Sequence, residues 1–323
     1  MARKGILPFV VIYAFLSFLD LRAKLQVTPT WFDGTLDRNH PALLAFQYVQ
    51  NEQSRILQFY IPEALIRIFG LSVIHAYMVQ RWLFVGLSFT LFHLYSRRWF
   101  SAPLAFAAVV LLAAILPFSF YNDLQESSAF LMASFVAGLW TIRDGPSWAV
   151  AIAFLVGAMN NETTLSLASV YWADRFSGWR LAALLKTTWQ TVAVAAPAIV
   201  YTAWIRYVTW GRPHPGGARH WGDNIGGILA DMRLSPLEYP RALYLSIFFI
   251  FNVLWIFAFL RLKEKPRFVR ATLVLIPAFI LPHLFTGIIY EVRQMVPLAF
   301  VVIPAAFFWL FPDPEPRTWN EST

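Results

Sequence analysis

Residues 148–172 read WAVAIAFLVGAMNNETTLSLASVYW. Two apolar runs flank Asn160-Asn161-Glu162-Thr163-Thr164, and neither run reaches the roughly 20 residues that a helix needs to cross a bilayer. Irregular backbone at membrane depth is tolerated only where protein buries it or a wet cavity takes it up. The stretch therefore predicts two half-helices that enter and return, with Glu162 at their turn. Basic residues mark the cytoplasmic side of a membrane segment. Arg143 before the stretch and Arg175, Arg180 and Lys186 after it put both feet of this pair on that side.

Composition agrees with a membrane setting. Of 323 residues, 58% are hydrophobic and only 14% charged, against about 25% charged in an ordinary soluble domain. So little charge cannot coat a soluble globule, which sets aside soluble enzymes, disordered chains and nucleic-acid modules. The absence of cysteine removes disulfides, thiolate metal sites and cysteine nucleophiles. The formal charge of +8 reads as membrane topology and not as a nucleic-acid footprint.

Working outward from the broken stretch, hydropathy predicts about eight spans: 5–21, 76–95, 100–118, 127–142, 189–208, 242–260, 271–290 and 295–311. The basic start and apolar run of the first could be a cleaved signal peptide. With Asp20-Leu21-Arg22 a poor cleavage site, an uncleaved helix is the better reading. Lys and Arg at 97–98, 143 and 261–270 place both termini in the cytoplasm and the loops 22–75 and 210–240 outside. Two amphipathic stretches, 41–50 and 62–74, each opening on proline as a first helical turn allows, are expected to lie at the outer interface. The expected fold is all-α: one polytopic transmembrane domain over 1–323, with a re-entrant pair and outer interfacial helices. No internal repeat and no separate soluble domain is evident.

Charges in or beside membrane segments are functional candidates by default, and they collect on the outer side. They are Asp33, Asp37 and His40 in the first loop, Asp123 and Glu126 in a tight loop, and Glu162 at the break. Arg219 and His220 follow in the second large loop, and Glu291 and Arg293 in the last outer turn. Burial by Trp31 and Phe32 would raise the pKa of Asp33, although Asp33-Gly34 is also an ordinary turn signal. If 35–39 is helical, Asp33 and Asp37 share a face and could hold a divalent cation through oxygen ligands. The plainer reading of Asp37 is a solvated turn with Arg38. Glu126 suits a helix start. His75, His93 and His283 lie on apolar segments and read as satisfied core histidines. His40, His214 and His220 show no spacing that supports zinc. Trp82, Trp99, Trp148, Trp210 and Trp255 read as an interfacial aromatic belt, whereas Trp31 and Trp221, in the outer loops, are aromatics on which a substrate could stack.

This layout, with an inside N-terminus, a first outer loop carrying an aromatic-Asp-Gly stretch, a short acidic loop, the NNETTL break and a late ExR before the final span, resembles the GT-C superfamily of integral membrane glycosyltransferases. The resemblance implies a sugar donor on a polyprenyl phosphate, and an acidic residue of the first outer loop acting as base or through a metal. Asp33 matches that position, as general base on an acceptor hydroxyl, and Asp123 matches an acidic residue of the next outer loop. Relatives often carry a basic residue just before the acidic-Thr pair, where this chain has Asn161. A phosphate leaving group calls for arginine: Arg293 first, then Arg219 with His220. Arg293 could equally snorkel or pair with Glu291.

The resulting expectation is an inverting transferase that moves a sugar from a polyprenyl-phosphate donor to a lipid, glycan or protein acceptor on the outer face. Two other classes compete. A transporter or lipid flippase also uses broken helices, normally as a pair in related halves. A non-catalytic subunit of an envelope assembly complex would need no cavity between the first outer loop and the last spans. No evident eukaryotic retention signal is present, which favours a bacterial or archaeal plasma membrane.

Overall fold

The broken stretch folds into a hairpin. One leg is Ser147–Asn160 and the other Leu167–Arg175, joined by a 3-10 turn over Glu162–Ser166. The hydroxyls of Ser147 and Tyr171 lie 3.1 Å apart. In a continuous helix rising 1.5 Å per residue they would be separated by more than about 30 Å. Asn161 is extended, at φ −160° and ψ 122°, and its Oδ1 accepts from the Thr163 N–H at 3.0 Å. That side-chain bond repairs one amide that the broken helix would leave orphaned. At the tip the first leg and the turn touch so closely that a Cβ on Gly157 would run into the Thr164 side chain. Glycine is required there by the close approach.

The computed structural model of the chain describes residues 6–28, 32–48, 51–120, 127–209 and 220–312, and all secondary structure among them is helical. The helices are α1 (Leu7–Val27), α2 (Thr35–Leu44), α3 (Ile56–Phe69), α4 (Val73–Ser96), α5 (Ala102–Ile115), α6 (Ser127–Asp144), α7 (Ser147–Asn160), α8 (Leu167–Arg175) and α9 (Leu181–Thr209). After the second large loop come α10 (Trp221–Asp231), α11 (Ser246–Phe249), α12 (Leu254–Phe259), α13 (Arg267–Thr272), α14 (Leu275–Thr286) and α15 (Ala299–Leu310). Three helical stretches, Leu181–Thr209, Arg267–Thr286 and Val292–Leu310, are long and apolar enough to cross a membrane. The pair α3–α4, bent by 115°, makes a fourth if it counts as one.

Local chemistry explains where several elements start, stop and break. Pro8 sits in the first turn of α1, where a missing N–H costs nothing. Ser72 caps α4 through its hydroxyl and the His75 N–H. The expected continuous helix over 242–260 is instead two short helices, α11 and α12, with Asn252 between them at φ 44°. Pro41 and Pro62 stand inside α2 and α3 and not at their first turns. Leu36, His40 and Leu43 bury one face of α2, and that face draws its start upstream of the proline. α1 is 21 residues long but carries Asp20, Arg22 and Lys24 in its second half.

α15 lies at the centre, with Ala299 through Phe307 all buried. Phe92 of α4 meets Phe300 edge-on at 5.0 Å, and Phe135 of α6 meets Phe279 of α14 at 6.0 Å. α9 lies at the periphery. It packs along α7 and leaves Ile199, Val200, Trp204 and Tyr207 exposed. The hairpin is thus wedged between α6 and α9, and its tip is carried to the end of α9 where Arg206 stands.

Candidate functional site

A cavity of about 610 Å³ opens over the hairpin tip. Well-separated parts of the chain line it. Glu52 and Arg55 come from the first loop, Asn161, Glu162, Thr163 and Ser166 from the tip, Arg206 from the end of α9, and His220, His283, Glu291, Arg293 and Gln294 from the later chain. The volume falls within the usual range of roughly 300–1,000 Å³ for small-molecule sites.

Each charged wall group is positioned by an identifiable local feature. The 3-10 turn Asn51–Ser54 carries Glu52, and Tyr201 of α9 holds that turn by donating to the Ser54 carbonyl at 3.3 Å. Arg55 is the residue that precedes α3, its N–H bonded to the Glu52 carbonyl at 3.0 Å. Arg206 donates to Glu162 Oε1 at 2.9 Å, joining α9 to the hairpin tip. Glu291 Oε2 accepts from Arg293 at 3.0 Å and from Gln294 Nε2 at 2.8 Å.

The turn that delivers Glu291 and Arg293 is anchored from outside. Asn224 of α10 is buried. Its Nδ2 donates to the carbonyls of Leu284 at 2.9 Å and Gly287 at 2.8 Å, and its Oδ1 accepts from the Ile289 N–H at 3.1 Å. Backbone that leaves a helix must find partners for its freed polar groups, and this single amide supplies three. The His220 N–H adds a bond to the Phe285 carbonyl at 3.1 Å.

Glu52 is 3% exposed and its Oε2 has no hydrogen-bond partner. Burial pushes its carboxyl above the ordinary carboxylate range, against the opposing pull of Arg55 and Arg293. The cavity therefore offers guanidiniums for a phosphate or carboxylate, carboxylates for hydroxyl groups, and two imidazoles.

The structure brings together Glu162, His220, Glu291 and Arg293, four of the residues singled out from the sequence. Asp33 is not in the cavity wall. It lies exposed ahead of α2, and its Oδ1 accepts from the Thr35 N–H at 2.9 Å. That bonding to Thr35 holds its carboxyl below the ordinary range, the reverse of the rise expected from burial by aromatic neighbours. Phe32 is 57% exposed and cannot supply that burial. Asp37 is exposed in the first turn of α2. Asp33 precedes Gly34, which is left-handed at φ 80°, so the helical spacing that would align the two carboxylates does not extend to it. Among the described residues no group of three His, Cys, Asp or Glu could hold a metal ion.

Trp31, Asp123, Glu126, His214 and Arg219 lie outside the described residues. Trp221 is half-exposed and stacks on Phe285 at 4.5 Å. His40 is buried between Tyr77 at 3.1 Å and Glu63 at 3.1 Å. His93 is buried and bonded to Tyr13, as a core histidine is, whereas His75, expected in the core, is exposed and bonded to Ser72 at the head of α4.

Sequence reasoning missed Glu52, Arg55, Arg206, His283 and Gln294 as members of one site. A signal existed for Arg206, a charge near the end of an apolar helix. Glu52 and Arg55 looked like interruptions of a loop, and His283 like a core residue. No family model, no curated protein and no solved structure matches the chain.

Proposed function

We propose that the chain is a polytopic membrane protein of about eight spans, with both termini in the cytoplasm, and that it is an inverting glycosyltransferase. It takes a sugar from a polyprenyl-phosphate donor and passes it to a lipid, glycan or protein acceptor on the outer face. One observation carries the reading. The charged segments that the Lys/Arg bias assigns to the outer side converge on a single cavity at the tip of a broken helix pair. Charges placed there need a wet cavity and partners, and an enzyme acting on a lipid-linked polar substrate needs the same arrangement.

The geometry suits such a substrate. Arg206 reaches the cavity from α9, on which Ile199, Val200, Trp204 and Tyr207 are exposed. A polyprenyl chain lying along Ile199, Val200 and Trp204 would bring its phosphate to Arg206 and Arg55. The carboxylates of Glu162 and Glu291 then face a sugar's hydroxyls. A cavity between the first loop and the last helices also speaks against a purely structural subunit. The transporter reading gains one point from the second interrupted segment at α11–α12. No residue of that segment lines the cavity, whereas paired breaks in transporters meet at the substrate.

The test is transfer of labelled sugar from polyprenyl-phosphate donors by the purified chain in lipid nanodiscs. Label appearing in an acceptor, and falling in the Arg206→Ala variant, is the expected result. Donor moved across sealed vesicles without any transfer would replace the reading with the transporter.

A further inference from the structure

His283 stands in the last turn of α14, on the cavity wall. Its Nδ1 lies 2.7 Å from the Phe279 carbonyl oxygen. A carbonyl can only accept, so Nδ1 carries the proton, and the neutral ring keeps its lone pair on Nε2. The ring stacks on Phe279 at 4.5 Å and 17°, which fixes its plane. Gly287 leaves room beside it: a Cβ there would come to 2.9 Å from Gln294 Oε1 and 3.4 Å from His283 Cδ2. The other titratable groups of the wall each have a charged neighbour or are shielded. Glu162 accepts from Arg206, Glu291 accepts from Arg293 and Gln294, and His220 faces Asp223 at 3.6 Å. Glu52 is almost wholly buried, one of its oxygens sealed.

We propose that His283 is the catalytic base, taking the acceptor's proton on Nε2. This rests on the transferase reading above. The acceptor hydroxyl oxygen attacks the anomeric carbon of the donor. The bond from that carbon to the phosphate oxygen breaks, and its electron pair leaves with the polyprenyl phosphate, whose charge faces Arg206 and Arg55. The hydroxyl proton passes to Nε2, leaving an imidazolium that returns the proton to water through the open cavity. The imidazole bond to Phe279 is kept throughout, so the ring is held ready by the helix itself.

The experiment measures sugar transfer by the wild type, His283→Asn and His283→Ala, the last with and without added imidazole. Asparagine keeps an N–H near the Nδ1 place and so preserves the Phe279 bond, while lacking the lone pair. The expected result is a fall in kcat of about 100-fold or more, the usual worth of a general base, with KM for the donor unchanged. Added imidazole is expected to restore part of the transfer in His283→Ala, which a purely structural residue would not show. Wild-type transfer with kcat kept by both variants overturns the proposal and leaves the transferase standing. No transfer by the wild type overturns the transferase reading, and this proposal with it.

Discussion

The same chemical pair occurs in two settings in this molecule. Between α1 and α4, Arg81 Nε donates to Asp20 Oδ2 at 3.0 Å, with the side chains 2% and 5% exposed. The Arg81 guanidinium also lies 5.1 Å from the Phe120 ring centre. At the hairpin tip, Arg206 donates to Glu162 at 2.9 Å, but the side chains are 55% and 30% exposed beside a cavity. A sealed pair is bound to its own packing, whereas an open pair can exchange one partner for a ligand. Carboxylate and guanidinium alone therefore do not mark a site; access to an open volume does.

Four experiments can break or sharpen this contrast. The largest effect is expected from Arg81→Ala, which breaks a buried ion pair and should lower stability by about 3–5 kcal/mol, read as a fall in Tm of the detergent-solubilised protein. A Tm at the wild-type value would erase the distinction. Next, Glu162→Gln should leave Tm nearly unchanged, since exposed pairs contribute about 0–1 kcal/mol, yet reduce sugar transfer on the order of 100-fold. A loss of stability matching that of Arg81→Ala would make both pairs structural.

Glu52 lies between the two cases, being in the cavity wall but buried. Its folded pKa is raised by burial, so the folded chain binds this proton more tightly than the unfolded chain. Stability is then lower at neutral pH and recovers as pH falls through the raised folded-state value. Glu52→Gln should raise Tm at neutral pH and flatten that part of the pH profile. A lower Tm at neutral pH would show the carboxylate to be well compensated. The smallest effect is expected from Asp33→Ala, which removes only the bond to Thr35 at the head of α2. A slight drop in Tm with full transfer is the expected outcome, and loss of transfer would return Asp33 to the site.

The hairpin was legible because its signal is local: two short apolar runs and a polar break fix both its existence and its tip. The apolar helices α9 and α15 were legible for the same reason, although α9 begins eight residues before its predicted start at 189. The site was only partly legible. Glu162, His220, Glu291 and Arg293 announced themselves as costly charges or outer-loop residues. Glu52 did not, because nothing local separates it from Asp33: both are acids of one loop, and only the docking of the 3-10 turn on α9 through Tyr201 carries Glu52 inward. His283 was read as core because hydropathy reports the apolar helix around it and not the wall it faces. The breaks near Asn252 and Gly287 were hidden in runs that stay largely apolar, where hydropathy carries no record of a bend.

The pairing of Glu162 with Arg206 also bears on how the protein is made. The two residues are 44 positions apart, so at about 5–20 residues per second the ribosome delivers the arginine roughly 2–9 s after the glutamate. During that interval the hairpin has its apolar legs but not the cation that meets its tip. Until then Glu162 has Arg55, made earlier, but not the partner it bonds in the finished cavity, so a chain stopped before residue 206 would lack the tie between α9 and the hairpin tip.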